Sequence, residues 1–115
     1  MDDTDLREAV GNDRLLELLS VGRRRQVLAT LSETQEPLSV EELGRRLSDV
    51  DSQVERVQLE LHHTHLPKLD EAGLVDYDTG SGSVTLAASP DAVATGVERA
   101  AASLHELVVV TRNAE

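Results

Sequence analysis

Apolar positions recur along this chain at helical and alternating spacings separated by polar breaks, and the spacings order its elements. Residues 1–11 are acidic and poor in apolar side chains, and read as a flexible lead-in. Asn12 or Asp13 can then cap a short helix that turns Leu15, Leu16, Leu18 and Leu19 inward. A second helix is predicted from Val21 or Gly22 to Ser32, with Val27, Leu28 and Leu31 on its apolar face, and Glu33 to Pro37 reads as a polar loop. Ser39 and Glu42 make a capping box, with Leu38 and Leu43 at the two positions of a hydrophobic staple, and open a helix over residues 40–47. Ser52 with Glu55 repeats the box and opens a longer helix over residues 52–72.

On a helical wheel Val54, Val57, Leu59, Leu61, Leu66, Leu69 and Ala72 share one arc of that long helix. Gln53, Arg56, Glu60, His63, Thr64, Pro67, Asp70 and Glu71 take the opposite arc, so Pro67 lies outward, where a lost amide and a kink are tolerated. Gly73 ends the helix as the residue after the C-cap. Two alternating segments follow, with Val75 and Tyr77 on one face of the first strand and Val84 and Leu86 on one face of the second, joined by the flexible tip Thr79-Gly80-Ser81-Gly82. Ser89 caps a last helix with Pro90 at its first position. Val93, Val97, Ala100, Leu104, Leu107 and Thr111 form a heptad seam along it, which reads as a dimer interface.

The expected architecture is mainly α with a small β-hairpin. It comprises a lead-in over 1–11, a domain over 12–88 and a dimerisation helix over 89–112. About four residues separate the helices at 40–47 and 52–72, which is helix-turn-helix spacing.

Composition narrows the function. At 115 residues there is room for one core and one extra helix, and that core must be built from Leu, Val and Ala, because Tyr77 is the only aromatic residue and Ile, Phe, Trp and Cys are absent. Without Cys there is no disulfide framework, no thiolate zinc site and no redox switch. No apolar run approaches the roughly 20 residues of a membrane span, so the chain reads as soluble, cytoplasmic and without a membrane partner.

The formal charge of −11, with ten Arg against one Lys, reads as adaptation to molar salt, in which surface carboxylates hold water and inorganic cations. A GC-rich genome is the alternative source of the Arg bias. Such a charge disfavours sequence-independent nucleic-acid binding. The charge is uneven, however: residues 22–50 are net neutral and hold Arg23, Arg24, Arg25, Arg45 and Arg46.

The run His65-Leu66-Pro67-Lys68-Leu69-Asp70-Glu71-Ala72-Gly73-Leu74-Val75 resembles the end of the recognition helix and the first wing strand of ArsR-like winged-helix regulators. More closely, Leu19-Ser20, Arg23-Arg24-Arg25, Val27-Leu28 and the stretch from Leu61 to Gly73 resemble a haloarchaeal winged helix-turn-helix family of transcription regulators, within the ArsR-like and PadR-like superfamily. The resemblance spans roughly residues 15–88 and implies a homodimer on a pseudo-palindromic site in double-stranded DNA. The chain departs from ArsR-like sensors in having no Cys pair. It also departs from the family in lacking basic residues at the wing tip.

The resemblance puts Gln53, Arg56, Glu60, His63 and Thr64 in the major groove, where Arg56 suits guanine edges, Gln53 adenine and Glu60 the cytosine amino group. Arg23, Arg24, Arg25, Arg45, Arg46, Lys68 and Ser81 are the candidate phosphate contacts. The alternative for the arginines is surface pairing with Glu17, Glu41 or Glu42, and Lys68 can instead lie across apolar surface. The alternative for the whole chain is a winged-helix protein-interaction module that does not bind DNA.

The wheel places His62 and His65 inward and His63 outward. Hydrogen bonding inside the fold is therefore expected, with metal or proton sensing as the alternative. No catalytic motif is present, so neither an enzyme nor a cofactor is expected.

Overall fold

The computed structural model describes residues 12–99 and 102. Helix α1 is Asn12–Leu19 and α2 is Gly22–Ser32. A two-residue strand β1, Leu38–Ser39, leads directly into α3, Val40–Leu47. A 3-10 turn, Asp51–Gln53, precedes α4, Val54–Glu60. A π-helical turn, Leu61–His65, joins α4 to α5, Leu66–Glu71. Strands β2, Val75–Asp78, and β3, Ser83–Leu86, form a hairpin, and residues 90–99 are a final helix, α6. The three strands are antiparallel in the order β1-β3-β2. Among the described residues no helix is long and apolar enough to cross a membrane.

The local chemistry explains most boundaries. Ser39 Oγ accepts the Glu42 amide at 3.0 Å, as expected of an N-cap, but only half of the capping box forms. Ser39 is paired across the sheet with Ser83, and the Glu42 carboxylate turns instead to Arg45 and Arg46. The second box does not cap α4. The chain first winds into the tight 3-10 turn, with the Gln53 amide on the Val50 carbonyl at 2.9 Å, and α4 starts at Val54 without a side-chain cap.

At the other end of α5, Gly73 adopts φ +83°. Its amide donates to Asp70 O at 2.9 Å and the Leu74 amide to Leu69 O at 3.0 Å, a Schellman closure that requires the left-handed conformation. Ser89 caps α6 through the Ala92 amide at 3.1 Å.

The single helix expected over 52–72 is interrupted. Pro67 has no amide to donate and its ring crowds the preceding turn, and just before it the Leu66 amide reaches five residues back to Leu61 O. The helix therefore widens by one residue, and this insertion changes which side chains face inward. Leu61, Leu66 and Leu69 are fully buried and His65 is buried, whereas His62, placed inward by the wheel, is exposed.

Among the described residues the buried cluster at the core is leucine and valine, from Leu15, Leu18 and Leu19 in α1 to Val84 in β3 and Val93 in α6, with Ala72, Tyr77, Ala88 and Ala92 packed against it. Val93 is wholly buried and Val97 packs against the same cluster. This corrects the expected dimer seam at its first position, Val93, which the domain's own core already covers, and leaves Val97 half-buried at the edge of that core. The remaining seam positions, Ala100, Leu104, Leu107 and Thr111, and the lead-in over 1–11, lie outside the described residues.

Candidate nucleic-acid interface

Three features position α4. Gly44 of α3 lies against Gln58 of α4, where a Cβ on Gly44 would overlap Gln58 Cγ and stand 3.2 Å from its Cδ, so the two helices cross at a distance only glycine allows. Gln58 Nε2 donates to Glu41 O at 2.9 Å across the same crossing. The Val40 amide donates to Gly82 O at 2.9 Å, tying the start of α3 to the turn of the β2–β3 hairpin.

The hairpin is itself ordered by Asp78. Its carboxylate accepts the Gly80 amide at 2.9 Å, and that bond, with further ones from Ser81, holds the Asp78 carboxyl below its usual range. His62 Nδ1 meets Tyr77 Oη, joining the π turn to β2, and partial burial raises the Tyr77 phenol above its usual value. The Tyr77 amide donates to Asp70 Oδ2 at 2.8 Å, which holds β2 to α5.

On this frame Gln53, Arg56, His63 and Thr64 are exposed, and Glu60 is half-exposed. Arg56 is 82% exposed, with Nε 3.6 Å from Glu60 Oε2, a loose pair that leaves both groups able to turn to another partner. Arg45 and Arg46 are also exposed but share Glu42, at 3.1 and 2.9 Å. Their guanidiniums, that of Arg46 first, hold the Glu42 carboxyl below its usual range. Lys68 and Ser81 are exposed.

Arginines 23–25 serve a different purpose from the expected phosphate contacts. Arg23 Nη1 donates to Leu47 O at 2.7 Å, Arg24 Nη1 to Leu18 O at 3.3 Å, and Arg25 Nη1 to Leu19 O at 2.6 Å. One turn of α2 thus supplies positive groups to the carbonyl ends of α1 and α3, where backbone acceptors lack helical partners and the helix dipole is negative. Arg24 is only 8% exposed, and its Nε also donates to His65 Nδ1 at 3.3 Å. It is an internal brace, which corrects its assignment to the phosphate-binding set. Arg23 is half-buried and likewise committed to the fold.

A protein-family model, Domain of unknown function (DUF7344), matches residues 16–85. The chain belongs to the DUF7344 family. No curated protein and no solved structure matches it. The DUF7344 match encloses α2, β1, β2, the tight α3–α4 crossing and all of α4, and it ends within β3, one residue short of its end, before α6.

Two groups at this face escaped the sequence reading. Leu59, at about 200° on the wheel and thus at the edge of the apolar arc, is 55% exposed. The His62–Tyr77 contact was hidden by the widened turn. Among the described residues no group of three or more His, Asp or Glu is placed to hold a metal ion.

Proposed function

We propose that this chain is a winged helix-turn-helix transcription regulator that reads double-stranded DNA with α4 in the major groove. The reading rests on one arrangement: α3 and α4 cross tightly after a short turn, a hairpin is tied to the start of α3, and Gln53, Arg56, Glu60, His63 and Thr64 face solvent together. The element order and the sheet order β1-β3-β2 support it. Arg45, Arg46 and Lys68 remain the cationic candidates for phosphate, with Ser81 at the hairpin turn. The sequence seam over Ala100, Leu104, Leu107 and Thr111 supplies the proposed pairing of two copies on a pseudo-palindromic site.

The surplus acid sets the condition for binding. Molar salt shortens the range of repulsion to about 3 Å or less, and cations held between carboxylates and phosphates offset the remainder. Selection from a random DNA pool at 2–3 M KCl, roughly the salt this range implies, is expected to recover a defined site. The salt dependence of binding should be shallow or inverted relative to ordinary counterion release. Steep loss of binding by a few hundred millimolar KCl would refute the acidic-interface mechanism.

Arg56→Ala is expected to weaken binding to the selected site roughly tenfold while leaving the fold intact, the usual worth of a base contact. The second reading, a protein-interaction module, draws on the hairpin turn at residues 79–82, which carries no cation. It gains if no DNA is selected, or if Arg56→Ala and His63→Ala together leave chromatin association unchanged.

A further inference from the structure

Leu59 and Val50 are the large hydrophobic side chains exposed among the described residues, and of the two only Leu59 lies on α4. A single exposed leucine is ordinary on a protein surface, and what sets Leu59 apart is its placement. Leu59 follows Arg56 by three residues on α4, a spacing that makes the two side chains neighbours on one helix surface. Glu60 is adjacent in sequence. On its other side Leu59 lines a groove of about 330 Å³ shared with His62, Tyr77 and Ser81, between α4 and the hairpin.

The α4 surface therefore offers a guanidinium donor, a carboxylate acceptor and, beside them, a branched hydrocarbon. Base edges in the major groove present donors, acceptors and one apolar group, the C5-methyl of thymine. We propose that Leu59 is a specificity residue that selects thymine through that methyl, an inference that rests on the DNA-reading proposal above. Removing an apolar contact from water involves no counterion release, so thymine preference persists in molar KCl, where screening weakens charged contacts with phosphate.

The test uses the full chain and the DNA selected at 2–3 M KCl, with each thymine replaced in turn by deoxyuridine, which deletes only the methyl. One position in each half-site is expected to lose about fourfold in affinity, the worth of one methyl-sized group returned to water. The loss is expected to be the same at 1 and 3 M KCl. Leu59→Ala, an exposed substitution, is expected to fold and to bind the thymine and uracil sites equally.

Uracil tolerated at every position, or an unchanged thymine preference in Leu59→Ala, overturns the assignment while leaving DNA reading intact. Failure of the unaltered chain to select any DNA overturns the reading itself, and the assignment with it.

Discussion

Arg24→Ala is expected to lower folding stability by about 3 kcal/mol, because it strips donors from two acceptors inside the fold at once. Leu18 O and His65 Nδ1 each receive an Arg24 N–H at 3.3 Å, and Arg24 is only 8% exposed. A buried acceptor left without its partner costs about 1–3 kcal/mol, and loss of the long side chain opens space between α1 and the π turn. Urea unfolding in concentrated KCl measures the difference. A loss below about 1 kcal/mol would show that water replaces the guanidinium at both acceptors.

The same contact sets a pH dependence. His65 accepts at Nδ1, and burial first, then the charge of Arg24 and more weakly Arg23, lower its pKa, while Glu60 on the preceding turn opposes them. The fold thus favours neutral His65. This contribution is complete above the unfolded value near 6.5 and is lost as pH falls below it toward the lowered folded value. Stability is therefore expected to fall as the pH drops below the unfolded value near 6.5, relative to His65→Gln, in which position 65 does not titrate. In Arg24→Ala the dependence should be shallower but present, since burial, its largest cause, remains. An unaltered chain no more pH-dependent than His65→Gln would refute it.

How much of the molecule can be read from its sequence follows from how local each signal is. The helices at Gly22–Ser32 and Val40–Leu47, the Ser39 cap, the Gly73 turn and the register that puts Val75 and Tyr77 on one face all depend on residues within one turn or one pleat, and they appear where periodicity places them. Strand β1 is two residues long and exists only because Leu38 and Ser39 find Val84 and Ser83, so no local pattern announces it. A wheel assumes a constant angular step, and the π turn before Pro67 breaks that assumption at the histidine cluster.

The buried member of the arginine run, Arg24, is the residue whose role the spacing does not show. A row of cations resembles a phosphate-binding patch, but the carbonyl ends of α1 and α3 come within its reach only after the chain folds. For the candidate interface, legibility is greatest where exposure needs no partner. Arg56 is outward because the opposite side of α4, at Val57, is needed for the core, and that much is contained in the spacing.

Gly44→Ala is expected to destabilise the protein by about 2 kcal/mol, although an exposed helical glycine usually gains about 1 kcal/mol on that change. The added Cβ overlaps Gln58 Cγ, an atom near the root of the side chain that cannot move aside without shifting α4 or forcing a new rotamer. Overpacking of this kind costs up to about 3 kcal/mol, which exceeds the gain in helix propensity. Gln58→Ala deletes the overlapping atom and, with it, the Gln58 bond to Glu41 O, a loss of about 1 kcal/mol.

The double variant Gly44→Ala, Gln58→Ala should therefore be more stable than Gly44→Ala alone, with a coupling of at least about 2 kcal/mol in a double-mutant cycle. Additive losses would mean that the Gly44 methyl meets something other than Gln58. The cycle also bears on the proposed DNA reading, because this crossing fixes the angle at which α4 presents Arg56. If that proposal holds, Gly44→Ala should weaken binding to the selected DNA even at temperatures where the variant is fully folded, and Gln58→Ala in the same chain should restore much of that binding without touching a residue proposed to contact a base.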